Sequence, residues 1–432
     1  MKGRSSAPVV VIGAGLTGLS AARHLGRRCV VFEAEDAPGG LARSHRIDGY
    51  TFDRTGHWLH LKDKRIRRSL LRLTDWMEVE RVSKAFTYDH QTEYPFQVHL
   101  HGHRPDILLD CLVGLWKAHD QRRSRRSIHT FEDFIYEHFG EGIARHFLLP
   151  YNEKLWGVPA KHMTTDWCQR FFPATPVEQI LAGIVGAKLP QMGYNVAFLY
   201  PKNGGIGLLA QAMADRLPKG VLSLSSPVER IDYKKKQLMV NGQWTAYSGI
   251  ISTIPLPELI ARLENPPKRV LQAVEKLTWT QVHYLDVATK RPVRQSYHWV
   301  YVPERKYPFY RAGVYSNVAP HMAPKGGSSL YVELSSRATP SAATIKDVVA
   351  GMKAIGLISS ARDVLFAKPQ SIEYAYVIYD QNHQTTRRFL LSFLASKGIH
   401  STGRYGSWEY NSMEDSILAG RNAAASYLPN KQ

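Results

Sequence analysis

Hydrophobic positions change their period along this chain, and the changes mark out its parts. Pro8-Val9-Val10-Val11-Ile12 is apolar without interruption and rich in β-branched side chains, the signature of a strand covered on both faces in a parallel sheet. A glycine-rich turn follows from Gly13 to Gly18, then helical spacing from Leu19 to Leu25, then a second apolar run, Cys29-Val30-Val31-Phe32-Glu33. Together they predict a compact βαβ unit. From about Phe86 to Lys188 the spacing turns helical, with no strand pairs expected after Phe96. Within that stretch Thr130-Phe131-Glu132-Asp133 has the form of a helix start, a hydroxyl cap followed by carboxylates in the first turn. Strands return from Ala197, and residues 227–231 and 249–253 are expected to rejoin the first sheet. From about Thr278 to Tyr379 apolar and polar residues alternate, as in Val282-His283-Tyr284-Leu285-Asp286-Val287, which predicts half-buried antiparallel strands. Residues 415–427 read as a closing helix.

The predicted fold class is α/β. A discontinuous nucleotide-binding domain takes residues 1–85, 196–265 and 398–432, a mainly helical insertion takes 86–195, and a second, mainly antiparallel sheet domain takes 266–397. The length of 432 residues agrees, since it exceeds what one hydrophobic core usually supports.

Composition narrows the function classes. Apolar residues at 44% and charged residues at 22% are ordinary for a packed globular chain. Cys29, Cys111 and Cys168 are too few and too scattered for a disulfide framework or a metal site, so a reducing cytoplasm is the expected compartment. The polar start from Met1 to Ser6 leaves no room for a secretory leader, and no apolar run approaches the roughly 18 residues of a membrane span. The formal charge of +19 concentrates at residues 62–68 and 122–126 and attracts anions: nucleic acid, acidic lipid or a diphosphate ligand. No aromatic-interleaved motif accompanies it, so nucleic acid is not expected. The amphipathic segment 106–119 is where a peripheral contact with anionic lipid would form.

The chemistry sits first in Gly13-Ala14-Gly15-Leu16-Thr17-Gly18, placed between a strand and a helix. In such a turn the first glycine permits the tight bend, the second lets backbone N–H groups reach a pyrophosphate, and the third allows close helix–strand packing. The helix N-terminus adds favourable partial charge, and Glu33 is placed to accept from a ribose hydroxyl. NAD and FAD share this fingerprint. Gly39-Gly40-Leu41-Ala42-Arg43 separates them, because it resembles the second glycine pair of FAD-dependent amine and protoporphyrinogen oxidases, beside the FAD diphosphate and flavin. The domain is therefore read as a Rossmann-type FAD domain.

Further blocks resemble one branch of that class, the UDP-galactopyranose mutases, and above all the eukaryotic-type sequences. Phe52-Asp53-Arg54-Thr55-Gly56-His57 is similar to the family's F/Y-D-x-G-G-H loop, and Tyr94-Pro95-Phe96-Gln97 to its Y-P-F-Q. The run from Pro150 to Pro159 resembles P-Y-N-x-K-x-W-x-V-P. Tyr301-Val302-Pro303-Glu304 with Pro308-Phe309-Tyr310-Arg311-Ala312 resembles Y-F-P-E…P-F-Y-R-A, and residues 403–410 resemble G-R-F-G-S-W-x-Y. These blocks run in the family's order over nearly the whole chain.

The resemblance implies an enzyme that interconverts pyranose and furanose rings of a sugar nucleotide in polysaccharide biosynthesis, with reduced FAD as cofactor and flavin N5 as nucleophile at the anomeric carbon. NADPH or NADH is the implied candidate reductant, and an oligomer is compatible with it. His57 and Arg311 are the implied catalytic residues. Cofactor contacts would come from Gly13, Gly15, Gly18, Glu33, Gly39, Gly40, Arg43, Gly56, His57, Val228, Arg404 and Tyr410. Tyr94, Gln97, Asn152, Trp156, Arg170, Asn195, Tyr301, Arg311 and Tyr376 would hold substrate, with Arg311 as the diphosphate fork and Tyr301 and Tyr376 as donors. The chain departs from the family at three places. His60 replaces an aromatic apolar residue on the uracil side. Arg170 meets the second diphosphate arginine only if one residue is deleted, Phe171 otherwise taking its place. Asn411-Ser412 replaces an Asn-Gln pair. The alternative within the same class is a flavin oxidoreductase of the amine or protoporphyrinogen oxidase type.

Overall fold

The computed structural model describes residues 7–121, 127–168, 175–187, 196–334 and 338–428. Five parallel strands form the nucleotide-type sheet, in the order Ile399–Ser401, Gly249–Ser252, Val9–Ile12, Cys29–Phe32, Leu222–Ser223. Val9–Ile12 lies at its centre and is buried at every position, as its unbroken apolar run requires. The helix Leu16–Leu25 returns over the sheet and is covered in turn by the last helix, Met413–Ala425. Contact there is close: a Cβ at Gly420 would lie 2.0 Å from the Thr17 carbonyl oxygen.

Gly249–Ser252 rejoins this sheet as expected, but Val228–Asp232 does not. It pairs antiparallel with Gln237–Val240, which pairs with Gln243–Ala246, in a separate three-stranded sheet. The cause is local. Asp232 Oδ1 accepts from the amides of Lys234 and Lys235 at 3.1 and 2.9 Å, and that Asx turn folds the chain straight back on itself.

The second sheet has seven strands, in the order Val364–Val377, Trp279–Thr289, Ser328–Leu334, Phe309–Val314, Trp299–Tyr301, Ser83–Thr87, His90–Glu93. All neighbours are antiparallel except Trp299–Tyr301 beside Ser83–Thr87. Residues 83–93 thus belong to a sheet where helix was expected from about Phe86. Tyr88 and Asp89 both take positive φ (51° and 61°), a two-residue hairpin turn without the usual Asn-Gly signal. The expected wet face is missing from Ser328–Leu334, which is buried throughout. Leu330, Val332 and Leu334 pack with Val348 and Met352 on one side, and Tyr331 enters the main core on the other.

The helical segment follows His90–Glu93 in the chain. Phe131–Ile143 starts where the sequence indicates: Thr130 Oγ1 accepts from the Asp133 amide at 3.1 Å, and the Asp133 carboxylate accepts from the Thr130 amide at 2.9 Å. It packs against Pro105–Gln121 at backbone distance, since a Cβ at Gly142 would lie 2.2 Å from the Asp110 carbonyl oxygen. The opposite face of Pro105–Gln121 exposes Leu109, Leu112, Val113 and Trp116, the last 73% exposed. Among the described residues no helix is long and apolar enough to cross a membrane.

Candidate active site

A cleft of about 400 Å³ runs between the two sheets. Its first wall is the glycine-rich loop. Gly13 sits at φ 96°, a conformation few other residues tolerate. A Cβ at Gly18 would lie 1.9 Å from the Gly13 carbonyl oxygen, so this glycine lets helix and strand touch. At Gly15, which caps the helix Leu16–Leu25, a Cβ would meet no atom within 4 Å. The loop therefore leaves an open cradle at a helix N-terminus, the place where an anion is favoured. Glu33 closes one end: its Oε2 accepts from the Ala14 amide at 2.6 Å and its Oε1 from the Glu35 amide at 3.0 Å. The Gly39 amide donates to the Ala14 carbonyl at 2.9 Å, which sets the second glycine pair against the first. Gly39 and Gly40, at φ 124° and 57°, both line the cleft.

The floor is the Gly56-His57 turn. A Cβ at Gly56 would lie 2.3 Å from Tyr331 Oη, so the backbone must be bare there. Burial pulls His57 down to about 4, Arg404 pulling the same way, and the imidazole is neutral at pH 7. The backbone of Thr55 and Arg54 opposes the shift, and among the described residues the His57 Nδ1 is buried without a well-formed hydrogen bond.

The far wall carries cations among phenols. Tyr301, Tyr310, Tyr376, Tyr405 and Tyr410 line it together with Arg311 and Arg404. Arg404 donates to the carbonyls of Ala375 (2.7 Å) and Asn411 (2.9 Å), with its Cζ 4.4 Å from the Tyr410 ring centroid and 5.6 Å from that of Tyr376. Tyr376 stacks on Tyr410 at 5.7 Å. Arg311 is engaged by Glu333 through Nε and Nη2, which leaves Nη1 and one Nη2 proton for a ligand. The Tyr310 hydroxyl is buried without a hydrogen-bond partner among the described residues, and burial raises its pKa well above the ordinary phenol value.

The sequence matches the flavin-containing amine oxidoreductase family over residues 16–427, nearly its whole length. The chain belongs to that family. As a member of it the chain is a flavoprotein, and the bare cradle at Gly15, the helix N-terminus, Glu33 and the neutral His57 fit FAD. Among solved structures, it resembles reduced UDP-galactopyranose mutase at TM-score 0.91 and 28% identity, over 98% of this chain and 94% of that one. Putrescine oxidase bound to putrescine (TM-score 0.66, 16% identity, 98% and 99% covered) and a fatty acid isomerase from P. acnes (0.67, 13%, 99% and 100%) share the fold. A phytoene dehydrogenase of Streptomyces griseus is 33% identical over 124 residues, which is 27% of this chain and 24% of that relative's length.

Within this flavin family fold, most of the anticipated residues meet in one place. Gly13, Gly15, Glu33, Gly39, Gly40, Gly56, His57, Tyr301, Arg311, Tyr376, Arg404 and Tyr410 all line the cleft, as does His60. Others stand one layer behind. Tyr94 packs on Tyr301 at 4.4 Å, and Trp156 sets its edge to Tyr376 at 5.4 Å. Asn152 is buried and donates to the Leu148 carbonyl, one turn earlier, at 2.7 Å. Gln97 occupies a half-buried 3₁₀ turn beside them. Arg43 pairs with Glu35 (3.0 Å) and Asp36 (2.8 Å), and neither it nor Val228, whose carbonyl accepts from Arg262, lines the cleft. Arg170 and Asn195 lie outside the described residues. Glu333, Tyr310, Tyr405 and Trp58 line the cleft unanticipated. Tyr310 was within reach as the neighbour of Arg311, and Glu333 as a lone acid in a strand otherwise free of charge.

Proposed function

We propose that this flavoprotein is a sugar-nucleotide mutase similar in activity to UDP-galactopyranose mutase, acting on a nucleotide-diphosphate sugar in the cytoplasm. The observation that carries the reading is the wall of five phenols around two guanidinium groups, facing a bare dinucleotide cradle across one cleft. Reduced FAD supplies, when bound, a nucleophilic N5 for the anomeric carbon. The chain's own residues do the rest. The free edge of Arg311 binds the leaving diphosphate, with Tyr301, Tyr310 and Tyr376 as neutral donors that add hydrogen bonds without further charge. Arg404, stacked on Tyr410 and fixed by two carbonyls, would hold positive charge toward a flavin bound in the cleft and would favour its reduced, anionic form. His57 stays neutral, so it offers a hydrogen bond there without competing as a cation.

The test is incubation of the dithionite-reduced, FAD-loaded protein with a panel of nucleotide sugars, followed by chromatography. Isomer formation without consumption of reductant is expected. Substrate-driven flavin reduction with no isomer, using amines instead, would replace this reading with the oxidase one that family membership also supports.

A further inference from the structure

Lys154 carries an ammonium that is almost wholly buried and surrounded by backbone oxygens. Only 8% exposed, its Nζ lies within hydrogen-bond distance of four backbone carbonyls: Val302 (3.0 Å), Glu304 (2.9 Å), Tyr307 (3.0 Å) and Phe309 (2.5 Å). Those carbonyls bracket one turn. It begins directly after Tyr301 and ends directly before Tyr310 and Arg311, so the ammonium grips both ends of the hairpin that presents the phenols and the guanidinium to the cleft. Lys154 itself sits on the helix Leu149–Trp156, between Asn152 and Trp156. Glu304 pairs with Lys306, and Glu153 with Arg305, on the outer side of the same turn.

We infer that Lys154 is a positioning residue for ligand binding, locking the 302–309 turn to the helix so that Tyr301, Tyr310 and Arg311 are held in place for an anionic ligand. This rests on the proposed function of the cleft. A charged amine is the group the geometry calls for. Four carbonyl oxygens converge on its three protons, none can donate, and an apolar side chain would take that donor from all of them, leaving Glu304 the Tyr307 amide at 3.2 Å. The turn would then open toward water, and the strand ends would lose their alignment. Burial lowers the ammonium toward about 7 while Glu304 opposes the shift, and the carbonyl cage favours the charged form as well.

An open cavity of about 470 Å³ reaches Lys154 from the surface past Gly157, Pro159 and Arg305, which makes chemical rescue feasible. The experiment compares wild type with Lys154→Ala, both purified as FAD-loaded protein, and titrates uridine diphosphate as probe by flavin fluorescence. The variant is expected to bind the probe at least about tenfold more weakly, one or two orphaned acceptors sufficing for that. Flavin content and spectrum should be unchanged, and KM for an accepted sugar nucleotide should rise more than kcat falls. Ethylammonium should restore affinity where ethanol does not, a response that general destabilisation would not give. Native affinity in the alanine variant overturns the inference. If that variant yields no flavin-loaded protein, Lys154→Arg takes its place. Its planar fork cannot serve four diverging carbonyls, and undiminished affinity there is equally fatal. A wild type that binds no nucleoside diphosphate would instead remove the reading of the cleft, and this inference with it.

Discussion

Arg311 and Glu333 stand opposite each other in register on neighbouring strands, and the guanidinium gives Nε and Nη2 to the two carboxylate oxygens at 2.5 and 2.6 Å. Glu333 is 1% exposed. The pair makes a simple deletion misleading, because removing one partner of a buried ion pair leaves an uncompensated charge and costs about 3–5 kcal/mol. Arg311→Ala should therefore lower the melting temperature as well as ligand affinity. The double variant Arg311→Met, Glu333→Gln should recover most of the stability and none of the nucleoside diphosphate affinity. Thermal unfolding and titration on the same samples separate the two; native affinity in the double variant would make Arg311 purely structural.

The glycines of the dinucleotide loop should divide by mechanism. Gly18→Ala drives a methyl group into the Gly13 carbonyl and should give little folded protein. Gly15→Ala meets nothing in the chain, so it should fold with near-native circular dichroism yet retain little flavin, the methyl standing where the pyrophosphate approaches. Full flavin occupancy in Gly15→Ala would contradict the cradle.

Tyr376→Phe keeps the ring that stacks on Tyr410 and meets Trp156, so stability should change by less than about 1 kcal/mol. If the hydroxyl donates to a phosphate, the nucleoside diphosphate Kd should rise about tenfold or more, the usual worth of a hydrogen bond to a charged group. An unchanged Kd would confine Tyr376 to packing.

Acid should destabilise the folded chain between about pH 6.5 and 4. Burial lowers His57, His103 and His298 to about 4, so in that window the unfolded chain binds protons the folded one refuses, and stability falls with falling pH. Asp53 acts in the opposite sense. Burial raises it to about 6 against hydrogen bonds from Ser44, Tyr200 and Ile206, so the folded state holds a proton there that the unfolded state releases, and acidification through that range favours folding. His60, His99, His383 and His400 are lowered by burial in the same way and Asp286 is raised like Asp53, so the histidines leave a net loss. Melting temperatures across the range check it, and His57→Asn should flatten the slope.

Much of this architecture was legible in the sequence where one cause dominates. The uninterrupted run at Val9–Ile12, the glycine spacing of the first turn and the Thr130 cap each depend on local chemistry, and each appears as read. What escaped the sequence depends on contacts between distant strands or on a turn without its usual residues. Ser328–Leu334 alternates like a half-wet strand, yet its central place in a seven-stranded sheet dries both faces. The Tyr88-Asp89 turn lacks the residues that usually mark a hairpin. In the cleft, Arg311 was visible as a cation, but its carboxylate partner lies on another strand and is found only through register.

The strand order of the five-stranded sheet carries a consequence for how the protein is made. Val9–Ile12 borders Gly249–Ser252, which borders Ile399–Ser401, and the helix over the first turn is sealed by residues from Met413 onward. A nascent chain on the ribosome therefore holds its flavin-binding turn half built until the residues around 399–425 have emerged, and it waits on pairings of very long sequence separation. A stop codon placed between Ser401 and Met413 should release a colourless, chaperone-dependent product rather than a weaker enzyme.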